Sequence, residues 1–284
     1  MRIYRTISEL RNEIKQLKLS DKVISFVPTM GYLHEGHLTL IRYAKRNSDF
    51  CVVSIFVNPT QFGPNEDYNI YPRDEKRDIE LLEKENCDFL FIPSVEQIYG
   101  ADYQTFVKVK KYSDILEGEI RPNHFEGVTT IVLKLFNIVQ PDFAVFGQKD
   151  AQQAFIVKKM VEDLNLPIRI DVLPIVREPD GLAMSSRNVY LSREDRSKAL
   201  SLFEAIKVGE SLVQQKITNA EEIKLHLLKY LMSFKLDKID YIEIVEKNSF
   251  EKVNQLAQGK EYYLLLAVRI GKTRLIDNTV LKID

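Results

Sequence analysis

Residues 23–37 read Val23-Ile24-Ser25-Phe26-Val27-Pro28-Thr29-Met30-Gly31-Tyr32-Leu33-His34-Glu35-Gly36-His37. The first five predict a buried strand, and a helical pattern follows over roughly 37–47. Between them lies a loop carrying two glycines and two histidines. The rhythm then repeats. Cys51-Val52-Val53-Ser54-Ile55-Phe56-Val57 is almost unbroken in apolar character, as a strand covered on both faces must be. A charged helix over about 73–86 leads to Phe89-Leu90-Phe91-Ile92, and a helix over about 127–139 leads to Phe143-Ala144-Val145-Phe146. A further helix from about Asp150 to Leu164 precedes Ile168 to Leu173. Strands alternating with helices of this length predict crossover units, hence an α/β fold on a mostly parallel, doubly wound sheet. Ligands of such sheets sit outside the carboxyl ends of the strands. The loops beginning at Pro28, Asn58, Gly147 and Val176 are therefore the places to look for chemistry.

Beyond about residue 176 the pattern changes. Ser192-Arg193-Glu194-Asp195 resembles a capping box, and Ala199, Leu202, Phe203, Ile206 and Val213 share one helical face. Thr218-Asn219-Ala220-Glu221 opens another helix, and strand-like runs follow near 239–245, 262–270 and 274–282. A larger domain over 1–176 and a smaller α+β domain over 177–284 are expected. The 284 residues suit two domains, and a chain of this size buries roughly three quarters of its unfolded surface.

Forty Lys and Arg against 41 Asp and Glu leave a net charge of −1. No global basic field gathers nucleic acid or an anionic membrane. The longest uncharged run, Phe50 to Asn65, is too short and too polar to span a bilayer. Arg2, Arg5, Glu9, Arg11 and Glu13 deny the N-terminus the apolar core of a signal peptide. Cys51 and Cys87 make neither a disulfide framework nor a zinc site and read as small core residues. A soluble, cytoplasmic protein is expected, with no nucleic-acid or membrane partner.

Four loops carry candidate chemistry. His34 and His37, three residues apart at a helix start, can face an anion where backbone N–H groups and the dipole already favour phosphate. Gly31 and Gly36 let the main chain approach closely. The Glu-to-His spacing excludes the helical zinc motif; a plain turn with two exposed histidines is the alternative. Asn58 and Gln61 in Asn58-Pro59-Thr60-Gln61-Phe62-Gly63 offer amides to a small polar or anionic ligand, although Asn-Pro is also a common turn. In Gly147-Gln148-Lys149-Asp150, Lys149 supplies a point charge for phosphate, and Asp150 suits either a ribose hydroxyl or a helix cap, with Gln153 one turn on. Met184-Ser185-Ser186-Arg187-Asn188 is a flexible-looking polar stretch whose donors could close over a triphosphate, or form only a polar loop. None of the four holds a nucleophile beside a positioned base. His124 reads as a supporting or loop histidine, and His226 as structural.

Pro-Thr-Met-Gly-x-Leu-His-x-Gly-His at 28–37, Phe-Val-Asn-Pro-x-Gln-Phe at 56–62, Phe-Gly-Gln-Lys-Asp at 146–150 and Gly-Leu-Ala-Met-Ser-Ser-Arg-Asn at 181–188 resemble the pantoate–β-alanine ligases, a Rossmann-like nucleotidylyl-transferase family. The resemblance covers residues 1–190 in order and spacing. It implies ATP-dependent joining of (R)-pantoate to β-alanine through an enzyme-bound pantoyl adenylate, with release of pyrophosphate and AMP. It further implies that Met30, Gly31, Tyr32, Leu33, His34, Glu35, Gly36 and His37 lie along ATP, with His37 a protonated donor to the triphosphate. Gly147, Gln148, Lys149, Asp150, Val176, Met184, Ser185, Ser186 and Arg187 would complete the ATP site. His34, His37, Lys149 and Arg187 would be catalytic, Gln61 and Gln153 would hold pantoate, and Gln61 would border β-alanine. ATP would enter as a substrate with Mg²⁺, with no tightly bound cofactor and no protein-held metal, in a homodimer. The rival readings are another adenylate-forming relative or a non-catalytic ATP sensor on the same fold. A sensor would have no need of Gln61 and Gln153.

Overall fold

The computed structural model describes residues 1–64 and 66–283. Asn65, which ends the uncharged run, and Asp284, which ends the expected second domain, lie outside the described residues. The chain order is β1 (Arg2–Tyr4), α1 (Ile7–Leu19), β2 (Ile24–Thr29), α2 (Glu35–Arg46), β3 (Phe50–Ile55), α3 (Glu75–Lys84) and β4 (Phe89–Phe91). Short α4 (Val95–Ile98) and α5 (Glu117–Ile120) follow, then α6 (His124–Val139), β5 (Phe143–Gly147), α7 (Ala151–Asp163) and β6 (Arg169–Leu173). The remainder is α8 (Arg193–Gln214), α9 (Ala220–Met232), β7 (Lys238–Glu246), β8 (Glu261–Ile270) and β9 (Thr273–Lys282).

The chain forms two compact units, one of Met1–Gly147 with Gln152–Pro174, the other of Gln148–Ala151 with the chain from Ile175 onward. In the first, six strands pair in the order β1-β4-β3-β2-β5-β6, with every pairing parallel. The sheet is doubly wound, as the alternation of runs predicts. The strand order turns round between β2 and β5, the switch point at which such sheets bind ligands. Alternate residues of each strand serve opposite faces. Phe26, Val52, Phe89, Phe91, Ala144 and Phe146 pack with Leu10 and Ile14 of α1, with α6 and with Val157 of α7. Val27, Cys51, Val53, Leu90, Phe143 and Val145 pack with Ile41 and Ala44 of α2 and Leu82 of α3. Burial on both faces is what makes the strands read as continuous apolar runs. Cys51 and Cys87 lie in this core, both buried.

The charged N-terminus becomes an edge strand and an amphipathic helix. Thr6 and Glu9 form a capping box, and Leu10, Ile14 and Leu17 turn inward. In the second unit, β7, β8 and β9 form an antiparallel sheet in that order. Tyr262, Leu264, Leu266, Val268 and Ile270 of β8 pack against Leu202 and Ile206 of α8 and Ile223, Leu227 and Leu231 of α9. Ser192 caps α8 by accepting from the Asp195 N–H at 3.1 Å. Among the described residues no helix is long and apolar enough to cross a membrane.

Helix α6 begins at His124, earlier than its apolar periodicity indicates, and its first turn leans on the loop after β3. A Cβ at Gly127 would lie 2.5 Å from the Thr60 carbonyl oxygen and 2.7 Å from Gln61 Cα. Gly→Ala inside a helix is ordinarily stabilising by about 1 kcal/mol, but here the obstacle is backbone. Gly127→Ala is expected to destabilise the protein by about 1–3 kcal/mol, read as a lowered urea midpoint.

Candidate active site

The loop after β2 is organised by hydrogen bonds within the first unit. Thr29 Oγ1 donates to the Ser54 carbonyl at 2.7 Å and accepts from Gly31 N–H at 3.1 Å. Gly31 (φ +79°) and Tyr32 (φ +50°) turn the chain through the left-handed region. The N–H groups of Tyr32 and Leu33 each donate at 2.7 Å to the carboxylate of Asp78 on α3. Helix α2 then opens with a capping box built from imidazoles. His34 Nδ1 accepts from Gly36 N–H at 3.2 Å, and His37 Nδ1 accepts from His34 N–H at 3.3 Å. The rings lie 4.1 Å apart, both half-buried.

The backbone N–H groups of Gly31, Tyr32, Leu33, His34, Gly36 and His37 are all engaged inside the loop and helix. A nitrogen that accepts carries no proton, so both caps are made by the Nε2–H tautomer of the ring. The protonated His37 implied by the resemblance would give up its cap, because Nδ1 would then be a donor facing a donor.

The loop after β3 forms a second cluster in the same unit. Asn58 Nδ2 donates to Gln61 Oε1 and to the Gly127 carbonyl, each at 3.1 Å. Asn58 Oδ1 accepts from Thr60 Oγ1 at 3.0 Å and from the Tyr99 hydroxyl at 2.7 Å. With Oε1 held, the Gln61 amide turns its Nε2 toward Met30 Sδ, 3.2 Å away, joining two of the sequence candidates. Met30 is half-buried and outside the buried core. Gln152 binds Glu117 N–H, the Tyr112 carbonyl and the Ile115 carbonyl, while its neighbour Gln153 is half-buried on α7.

In the second unit, Asn278 of β9 reads the backbone of the Gln148–Asp150 turn. Its Nδ2 donates to the carbonyls of Gln148 and Lys149, both at 3.0 Å, and Gln148 Nε2 returns a bond to Oδ1 at 3.1 Å. Lys149 is half-buried and Asp150 exposed. The polar stretch over 184–188, flexible-looking in sequence, and the segment leading to it from Val176 are tied by hydrogen bonds. Met184 N–H donates to the Val176 carbonyl at 3.0 Å, and Arg177 pairs bidentately with Asp277 at 2.7 and 2.9 Å. Ser185 caps the short turn Ser186–Tyr190 by accepting from Arg187 N–H, and Asn188 binds Glu178 and the Ala183 carbonyl. Among the described residues no group of three or more His, Cys, Asp or Glu could hold a metal ion. His226 is peripheral, its Nδ1 2.9 Å from the Glu222 carbonyl.

Sequence reasoning missed Asp78, Arg177, Asp277 and Asn278, and Arg121 as the partner of His124. Each looks like an ordinary surface polar residue until the fold buries it. His124 Nδ1–H donates to the Gln61 carbonyl at 2.8 Å, and Nε2 accepts from Arg121 at 3.1 Å; Arg121 in turn holds both carboxylate oxygens of Glu66. Burial, reinforced by the Arg121 charge, pulls the His124 pKa from 6.5 down to about 4. The unfolded chain therefore takes up a proton that the folded chain refuses between these values. His124 contributes fully above about pH 6.5, and on the order of 3 kcal/mol is lost as pH falls toward 4. Urea midpoints measured across that window should fall steeply, and His124→Asn should flatten that part of the slope.

The family model of the pantoate-beta-alanine ligases matches residues 2–280. The pantothenate synthetase of Pseudothermotoga lettingae is 53% identical over 281 residues, covering 99% of each chain. That of Thermoanaerobacter sp. (strain X514) is 55% identical over 272 residues, covering 96% of this chain and 95% of its own. Among solved structures, pantothenate synthetase from Thermus thermophilus superposes with a TM-score of 0.92 at 42% identity, over 98% of this chain and 99% of the other. The Francisella tularensis pantoate-beta-alanine ligase, complexed with beta-gamma ATP and beta-alanine, gives 0.81 at 37% identity, over 99% and 97%. With its motifs in sequence order and its architecture matched from end to end, the chain belongs to the pantoate–β-alanine ligase family.

Proposed function

We propose that this chain is an AMP-forming ligase that condenses (R)-pantoate with β-alanine to pantothenate using ATP. The observation that carries this reading is the family match over residues 2–280. In the first step a pantoate carboxylate oxygen attacks the α-phosphorus, the bond to the bridging oxygen breaks, and pyrophosphate leaves with that electron pair. A carboxylate has no proton to lose, so this step needs no base. In the second, the neutral amine of β-alanine attacks the acyl carbon, the acyl–oxygen bond breaks, AMP leaves, and the nitrogen sheds a proton.

The work assigned to protein side chains is positioning and charge stabilisation. Nε2–H of His34 and of His37 donates to the triphosphate, Lys149 and Arg187 with Ser185 and Ser186 hold its oxygens, Asp150 accepts from the ribose, and the Val176 backbone meets adenine. Gln61, its oxygen held by Asn58, presents Nε2–H to a carboxylate oxygen, pantoate's first and β-alanine's later, and Gln153 binds pantoate beside it. Alignment of the reacting atoms supplies roughly 7–11 kcal/mol of the barrier. Mg²⁺ bound to the incoming triphosphate would supply charge neutralisation for the leaving pyrophosphate. Residues 1–176 bind ATP and pantoate, and residues 177–284 contribute the phosphate-closing loop. By analogy with the family, the enzyme works as a cytoplasmic homodimer.

Pyrophosphate release from ATP should require pantoate, and pantothenate and AMP should appear only when β-alanine is added. Absence of pantoate-dependent release under conditions where ATP binds would point to a different acid substrate or to a sensor. Lys149→Ala should lower the pantoate-dependent rate about 10²–10³-fold with an unchanged melting temperature. His37→Ala should lower it comparably and also cost about 1 kcal/mol of stability, because a helix cap goes with the ring.

A further inference from the structure

Asp78 belongs to none of the sequence motifs, yet it is one of the most deeply buried charge-bearing side chains in the protein, 1% exposed. It sits near the start of α3, whose N-terminus is capped by Asp74. Its Oδ2 accepts from Tyr32 N–H and its Oδ1 from Leu33 N–H, both at 2.7 Å. Two successive left-handed residues, Gly31 and Tyr32, gather these N–H groups into a concavity of the kind that binds anions. Here the anion is supplied by the protein's own helix. The fit leaves no slack: a Cβ at Gly31 would lie 3.0 Å from Asp78 Oδ2 and 2.9 Å from Ile55 Cγ2. Arg77 closes the outer side, its guanidinium 5.1 Å from the Tyr32 ring centroid and 3.8 Å from Asp78 Oδ1. Burial pushes the Asp78 carboxyl up, and the two N–H bonds and Arg77 oppose that rise.

We propose that Asp78 is a positioning residue for the adenylation step, clamping the Tyr32-Leu33 turn so that His34 and His37 enter α2 with their Nε2 atoms aimed at the triphosphate. It touches no substrate and acts through the loop. Leu33 is followed directly by the His34 cap, so a shift of this turn is passed straight to both rings. The inference rests on the ligase reading above, and it separates the two half-reactions. Only the first contains a triphosphate, so only the first depends on the clamp.

The test is Asp78→Asn, which sets an NH₂ group against one of the two N–H donors, alongside Asp78→Glu, which keeps the charge but moves it by a methylene. Pantoate-dependent ATP–pyrophosphate exchange should fall about 10- to 100-fold with a raised KM for ATP. Aminolysis of preformed pantoyl adenylate by β-alanine should stay within about threefold of the parent protein, since neither donor serves that step. Equal loss in both half-reactions, or no loss in exchange, overturns the proposal. If Asp78→Asn does not fold, Asp78→Glu carries the comparison, and failure of both to fold assigns Asp78 to stability alone and overturns it. A parent protein active in both half-reactions keeps the ligase reading intact whichever way the variants turn out, whereas a parent without pantoate-dependent exchange removes that reading itself.

Discussion

Strand β2 pairs with β3 along its whole length and with β5 only at Ser25 and Phe26. Pairing on that second side stops two residues before Pro28, which has no N–H to give. The consequence is structural before it is chemical. Three helices cover one face of the sheet and two the other, so the strands are mostly apolar and most polar groups collect in the loops at their ends. The switch point between β2 and β5 is where two such ends stop pairing with each other. The histidine loop leaves β2 there, and the loop after β3 folds back against its Met30.

Within that frame the protein satisfies its backbone donors internally. Thr29, Asp78 and the two imidazoles engage the N–H groups of the loop after β2. The side chains of the loop are oriented by what holds one end of each. His34 and His37 are held at Nδ1, leaving protons on Nε2. Gln61 is held at Oε1 by Asn58 and at its backbone carbonyl by His124, which turns its NH₂ group toward Met30 Sδ. An amide that could face either way in solution faces one way here, which is the difference between a polar residue and a positioned donor.

The second unit applies the same logic with different parts. A single amide, Asn278, fixes the main chain that carries Lys149, and the bidentate Arg177–Asp277 pair anchors the strand-like stretch leading to Met184. Asn278 and Asp277 are each 3% exposed, adjacent residues on β9. That β9 should hold the Gln148–Asp150 turn could not be guessed from its alternating pattern, because what matters is the packing of Gln148–Ala151 with residues more than a hundred positions later.

The linear sequence on its own determined the class of fold, because apolar runs bounded by loops and separated by helical periodicity admit few arrangements other than a parallel, two-sided sheet. It also determined the family, because glycines, histidines, amides and a lysine at fixed spacing after successive strands are a local pattern that needs no coordinates. The tertiary structure alone decided which way those groups point and what holds them. Asp78 is one acidic residue among several in a charged helix until the fold seals it against two backbone N–H groups. His124 is an ordinary titratable side chain until α6 starts three residues early and buries it between Gln61 and Arg121. Both outcomes depend on contacts between segments distant in sequence, where desolvation and donor matching act together, and neither leaves a periodicity for the sequence to display.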